Sequence, residues 1–159
     1  MIVGMGAGCE TAAPVAPVAS SAAVAEASSY LTVSSDAPAV GAVVTVIGNA
    51  DRAGGTAYGS FTAHLVYDQS RLEFVEEFAL GGGMRALHHA PGVVTIAGAA
   101  AGTAGFSDGR LFAVRFRVLA PVPYTAMAMQ MDELNGVDFA PQLHRSRPRT
   151  SIALDASIR

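Results

Sequence analysis

The chain has 159 residues and a formal net charge of −3; that length suits one domain, and a mildly acidic balance excludes the positive footprint that nucleic-acid binding requires. Hydrophobic residues make up 51% of the chain, but alanine supplies much of that share and buries little area per residue, so a small-residue sandwich fits better than a large-residue helical core. The single cysteine excludes an internal disulfide framework and any multi-cysteine metal site.

In chain order, the first segment is residues 1–28. Cys9 follows Gly6-Ala7-Gly8 and precedes an Ala/Pro/Ser-rich stretch with no aromatic residue. Small residues before a cysteine resemble the end of a bacterial lipoprotein leader, here in truncated form, because Met1 to Gly8 carries neither a basic segment nor a full apolar run. A lipid anchor on Cys9, with export to the cell surface or outer membrane or secretion, stands beside an incidental cysteine as the two readings. Residues 10–28 bury too little area to offset their ordering entropy and read as a disordered tether. Residues 29–157 form the domain.

From Tyr30 onward, short runs with a period of two alternate with turn residues, and no window sustains a helical period. This pattern predicts an all-β, antiparallel β-sandwich of jelly-roll topology with about nine strands. They are placed at Leu31 to Ser34, Val43 to Asn49, Ala57 to Tyr67, Leu72 to Phe78, Met84 to His88, Val93 to Ala99, Leu111 to Leu119, Thr125 to Leu134 and Thr150 to Leu154. Phe61, Ala63, Leu65 and Tyr67 share one face of the third run, with Ser60, Thr62, His64 and Val66 on the other. In the fourth run Leu72, Phe74 and Glu76 alternate with Glu73, Val75 and Glu77. In the seventh run Phe112, Val114, Phe116 and Val118 form the core-facing set, which places Arg115 and Arg117 outward. Asn135-Gly136 is the strongest hairpin dipeptide.

The third and fourth runs meet at Tyr67-Asp68-Gln69-Ser70-Arg71-Leu72-Glu73-Phe74-Val75, where Asp68 and Ser70 favour a turn by bonding to local backbone. A strand ending in Tyr-Asp, a short polar turn and a Leu-Glu-Phe-Val run resemble the signature of cohesin-type modules. The order of segments from Tyr30 to Leu154, with the Gly-led strands at Gly41 and Gly109, is similar to that family. The resemblance implies a non-catalytic scaffolding module of polysaccharide-degrading assemblies, whose sheet accepts a small helical protein partner, the dockerin. The outward positions before the Tyr-Asp pair, where similar modules place acidic or amide side chains, hold Ser60 and Thr62. Ser60, Thr62, His64, Arg115 and Arg117 are the candidate partner-binding residues.

Two rival functions use other residues. Direct carbohydrate binding needs exposed aromatic platforms, and without tryptophan the candidates are Tyr58 and Tyr124. A purely structural lipoprotein domain needs no site. An enzyme is not expected, because the four histidines are scattered and His88 and His89 point to opposite faces of an extended chain. No cofactor is expected. Asp132, Glu133, Asn135 and Asp138 are the densest set of oxygen ligands for Ca²⁺, yet they lack the spacing of a calcium loop and read as a hairpin with solvated carboxylates.

Overall fold

The computed structural model describes residues 27–35, 37–51, 57–106, 108–122, 126–138, 140 and 141. Cys9, the tether, Tyr124 and the ninth expected strand at Thr150 to Leu154 lie outside the described residues. Within them are eight strands: β1 (Ser29–Val33), β2 (Val43–Ala50), β3 (Tyr58–Tyr67), β4 (Leu72–Glu77), β5 (Met84–Ala90), β6 (Val93–Ala99), β7 (Arg110–Val118) and β8 (Met127–Gly136). They match the first eight predicted runs to within two residues at most ends, because the period-two alternation survives in nearly every strand.

The strands form two four-stranded antiparallel sheets, ordered β1-β2-β7-β4 and β5-β6-β3-β8. Nested pairing of β2 with β7 and of β3 with β6 gives the jelly-roll path. Only β1-β2 and β5-β6 join strands that are consecutive and paired; the other connections carry the chain between sheets. The β5-β6 hairpin turns on Pro91-Gly92, flanked by the Ala90↔Val93 pair. Proline presets the first turn position, and Gly92 supplies the left-handed φ of 78° that the second requires.

The core lies between the sheets. Val44 and Val46 of β2 and Phe112, Val114, Phe116 and Val118 of β7 face Phe61, Ala63 and Leu65 of β3, Val94 and Ile96 of β6, and Met127, Met129 and Met131 of β8. Tyr67 and Phe74 both pack edge-on against Phe116, at 4.8 and 5.9 Å between ring centroids.

The Asp68 turn passes the chain from one sheet to the other. Asp68 Oδ1 accepts hydrogen bonds from the Ser70 backbone N–H (2.9 Å) and hydroxyl (2.6 Å), and Oδ2 lies 3.2 Å from Arg71 Nε. The backbone N–H groups of Arg71 and Leu72 donate to the Asp68 carbonyl at 3.0 and 2.9 Å. The Ser70 hydroxyl, then the Ser70 N–H, hold the Asp68 carboxyl below its ordinary value, with the Arg71 charge assisting. A carboxylate with a depressed folded pKa contributes stability that is present above its unfolded pKa and lost as pH falls through the folded one. Asp68→Asn is therefore expected to lower the thermal midpoint at neutral pH. The gap to the wild type should close in acid, read by thermal melts across that range; a gap independent of pH would show that the charge of Asp68 is idle.

Three sequence expectations are corrected. Asn135-Gly136 is not a turn: it ends β8, where Gly136 pairs with Tyr58. The chain reverses just beyond it, with the Gly136 N–H donating to the Ala140 carbonyl at 2.9 Å. Second, Glu76 does not share a face with Leu72 and Phe74. A bulge between Phe74 and Glu76 shifts the register, so that Glu73 opposes Arg117 and Glu76 opposes Arg115. Third, Tyr58 belongs to the core rather than to an exposed platform, with 0% of its surface accessible. A register shift between Tyr58 and Ser60 breaks the alternation at Gly59, and the Tyr58 hydroxyl donates to the Asp51 carbonyl.

Candidate functional site

The five candidate partner-binding residues fall on opposite surfaces of the sandwich. Arg115 and Arg117 are on the outer face of the β1-β2-β7-β4 sheet, each in a cross-strand ion pair with β4. Arg115 Nη1 lies 2.8 Å from Glu76 Oε1, and Arg117 Nη1 lies 3.1 Å from Glu73 Oε2. Arg115 also covers the Phe78 ring, 4.5 Å from its centroid. Exposed pairs of this kind contribute about 0 to 1 kcal/mol each. Their larger consequence is that both guanidinium groups are already engaged.

Ser60, Thr62 and His64 lie together on β3, in the outer face of the other sheet. Since β3 is an interior strand, the register lays out the whole surface. Met84 of β5, Ala99 of β6, Ser60 and Asn135 of β8 form one cross-strand row. Ala86, Ala97, Thr62 and Glu133 form the next. His88, Thr95, His64 and Gln130 form the third, and Ala90, Val93, Val66 and Ala128 the fourth. The β5-β6 half is thus mostly alanine, with Met84 80% exposed at its corner. The β3-β8 half is polar. None of these positions is basic except the two histidines.

Alternation alone would send Asp132 and Glu133 to opposite faces. A second bulge, between Thr62 and Ala63 on β3, opposes Thr62 to Glu133 and Ala63 to Met131, leaving Asp132 as the extra residue of β8. Asp132 and Glu133 are consequently both exposed, while Met131 and Leu134 on either side are buried.

His64 is held between two strands. Its Nε2 lies 2.6 Å from Asp132 Oδ2 and its Nδ1 lies 2.9 Å from Thr95 Oγ1. An ionised carboxylate only accepts, so Nε2 carries a proton; in the neutral ring, Nδ1 accepts from the Thr95 hydroxyl. Gln130 Nε2 donates to Asp132 Oδ1 at 2.9 Å. Near the Ser60 end, Asn135 Nδ2 donates to Ser60 Oγ at 3.0 Å and also to Glu133 Oε1.

Thr95, His64 and Asp132 have the connectivity of a nucleophile, a base and an orienting carboxylate. The surrounding backbone does not suit that chemistry. Thr95 and His64 belong to interior strands, whose N–H groups are committed to sheet ladders on both sides, and an acyl-transfer site needs free donors aimed at the developing oxyanion. The arrangement instead fixes side chains in a flat recognition surface. His88 faces outward beside Thr95, whereas His89 turns inward: its Nε2 lies 2.7 Å from the Tyr67 hydroxyl, and its ring stacks on Phe74 at 4.6 Å. Among the described residues no group of three or more His, Cys, Asp or Glu side chains could hold a metal ion. Asp132 and Glu133 are engaged by His64, Gln130 and Asn135, and Asp138 caps its own turn by accepting from the Ala140 N–H at 3.1 Å.

No protein-family model matches the sequence, and no curated protein matches it. Solved structures do. The sixth cohesin of scaffoldin B from Acetivibrio cellulolyticus, solved in complex with a Cel5 dockerin, superposes with a TM-score of 0.57 at 10% identity, covering 76% of this chain and 94% of that one. A type II cohesin in a cohesin-X-dockerin complex from the same organism gives a TM-score of 0.53 at 11% identity, over 75% and 94% of the two chains. Type II cohesin A11 from Bacteroides cellulosolvens gives 0.54 at 15% identity, over 71% and 90%. The chain has the β-sandwich fold of cohesin modules.

Proposed function

We propose that this chain is a non-catalytic binding module that docks a dockerin-like protein partner on the outer face of the β5-β6-β3-β8 sheet. The carrying observation is the contrast between the two outer faces. On one, Arg115 and Arg117 are matched by Glu76 and Glu73. The other offers an alanine floor beside hydroxyl, imidazole and carboxylate groups held in fixed positions. Preorganised polar groups beside a flat apolar floor suit a protein partner, because little side-chain entropy remains to be lost on binding. The cohesins of similar fold that were solved with dockerins support the choice of partner class.

The test is a binding titration of the purified chain against a panel of dockerin modules, the Cel5 dockerin of Acetivibrio cellulolyticus among them. Thr62 is at the centre of the face, so Thr62→Trp is expected to weaken the best-binding dockerin by about a hundredfold. Arg117→Gln should leave it unchanged. Absence of binding across the panel, or the reverse pattern in the two variants, would overturn the assignment.

A further inference from the structure

We infer that this docking face selects a partner helix carrying an Arg or Lys side chain, which it receives at the β8 bulge between Asp132 and Glu133. The inference rests on the docking reading above and adds the chemistry of the occupant. Its first support is charge. The bulge brings two consecutive carboxylates to the surface, and no face position supplies an Arg or Lys to match them. Their partners on the face are an imidazole and two amides. A carboxylate has about four acceptor sites, so these contacts hold each group in place and leave it able to accept from a cation. On the opposite sheet, the carboxylates Glu73 and Glu76 each already have an arginine. The two faces therefore differ in unmatched charge, and charge complementarity selects partners by this term.

The second support is shape. Outward positions on β5 and β6 between Met84 and Ala97 are alanine apart from Met84 itself, so an approaching backbone meets methyl groups rather than long side chains. Strands are spaced by about 4.8 Å and a helix is about 10 Å across. A helix lying over β6 and β3 with small residues underneath thus covers the alanine floor, and a long cationic side chain on its flank extends over β8. Glutamate at that helix position would face two carboxylates.

The probe is a set of three alanine-based helical peptides of about 15 residues, identical except for a central Arg, Gln or Glu, titrated into the isotope-labelled full chain and followed by amide chemical shifts. The Arg peptide is expected to shift Thr62, His64 and Gln130 to Glu133, and to bind at least about fivefold more tightly than the Glu peptide. That preference should shrink as salt rises. The isosteric double variant Asp132→Asn, Glu133→Gln should abolish the preference while shifts still map to the same face. Equal affinity for the three peptides on this face would overturn the charge inference alone. Shifts confined to the Arg115 and Arg117 face, or no shifts from any peptide, would overturn the docking reading with it.

Discussion

Replacing Gly98 by alanine is expected to destabilise the sandwich by about 1 to 3 kcal/mol, the cost of forcing an extra methyl into a packed core. Gly98 pairs with Phe61 across β6 and β3, and the phenyl ring lies over the glycine. A Cβ added there would sit 2.2 Å from Phe61 Cε1, a distance no relaxed contact reaches. The second sheet repeats the device. Gly48 pairs with Phe112 across β2 and β7, and a Cβ at Gly48 would sit 2.2 Å from Phe112 Cε1. The two rings meet across the core with centroids 6.2 Å apart, and Phe106 packs edge-on against Phe61 at 5.3 Å. Neither ring can retreat without displacing another. Gly48→Ala should therefore cost a similar amount, read as a lower urea midpoint at unchanged slope. Phe61→Leu in the Gly98→Ala background should cost less than the two single changes added, since the smaller side chain makes room for the methyl. Full additivity, or a neutral Gly98→Ala, would show that the ring has space to move.

Arg85→Met is expected to cost about 2 to 3 kcal/mol, through buried carbonyls left without donors. Arg85 is on the inner side of the edge strand β5, where its guanidinium closes one end of the sandwich. Nε donates to the Leu111 carbonyl at 2.5 Å, Nη1 to the Leu80 carbonyl at 2.8 Å, and Nη2 to the Gly81 carbonyl at 3.4 Å. The guanidinium carbon also lies 5.0 Å from the centroid of the Phe106 ring. Burial lowers the Arg85 pKa, an effect opposed by the charges of Glu77 and Asp108, yet arginine stays protonated at any working pH. Methionine keeps the length and loses every donor. Arg85→Lys should recover part of the loss, because an ammonium donates but cannot span three carbonyls with a planar fork. The same contacts tie the connection between β4 and β5 to β7, so limited proteolysis should cut residues 78–83 sooner in Arg85→Met than in wild type. Equal stability of the Met, Lys and wild-type chains would reduce the guanidinium to packing alone.

Legibility varied along the chain for identifiable reasons. β3 was readable to the residue, because Phe61, Ala63, Leu65 and Tyr67 alternate with smaller or polar partners and a slip by one would bury Ser60, Thr62 and His64. β7 was readable likewise, with its two arginines outward. Where reading failed, a bulge or a close approach had intervened. Glu76 changed face at the Val75 bulge, Asp132 at the β8 bulge, and Tyr58 at the irregularity beside Gly59. Gly59 was the available signal for the last: a Cβ there would meet the Gly136 carbonyl oxygen at 2.7 Å, and glycine within a strand often marks such an approach. Val75 and Asp132 carry no comparable mark. Of the candidate site, the β3 residues were visible from alternation, whereas the Thr95-His64-Asp132-Gln130 chain was not, since it joins three strands far apart in sequence.

The sequence by itself determined the number and order of the described strands, the inward side of most of them, and the Asp68 turn with its cohesin-like setting. These follow from local chemistry: a period of two in side-chain direction, and polar side chains that bond to their own backbone. Only the tertiary structure decided that this turn passes the chain between sheets, that Arg115 and Arg117 lie opposite Ser60, Thr62 and His64, and that one face keeps two unmatched carboxylates while the other pairs its charges. Those outcomes depend on which strands become neighbours and where one of them carries an extra residue. Register and bulges are properties of a strand pair, and a single strand read alone does not contain them.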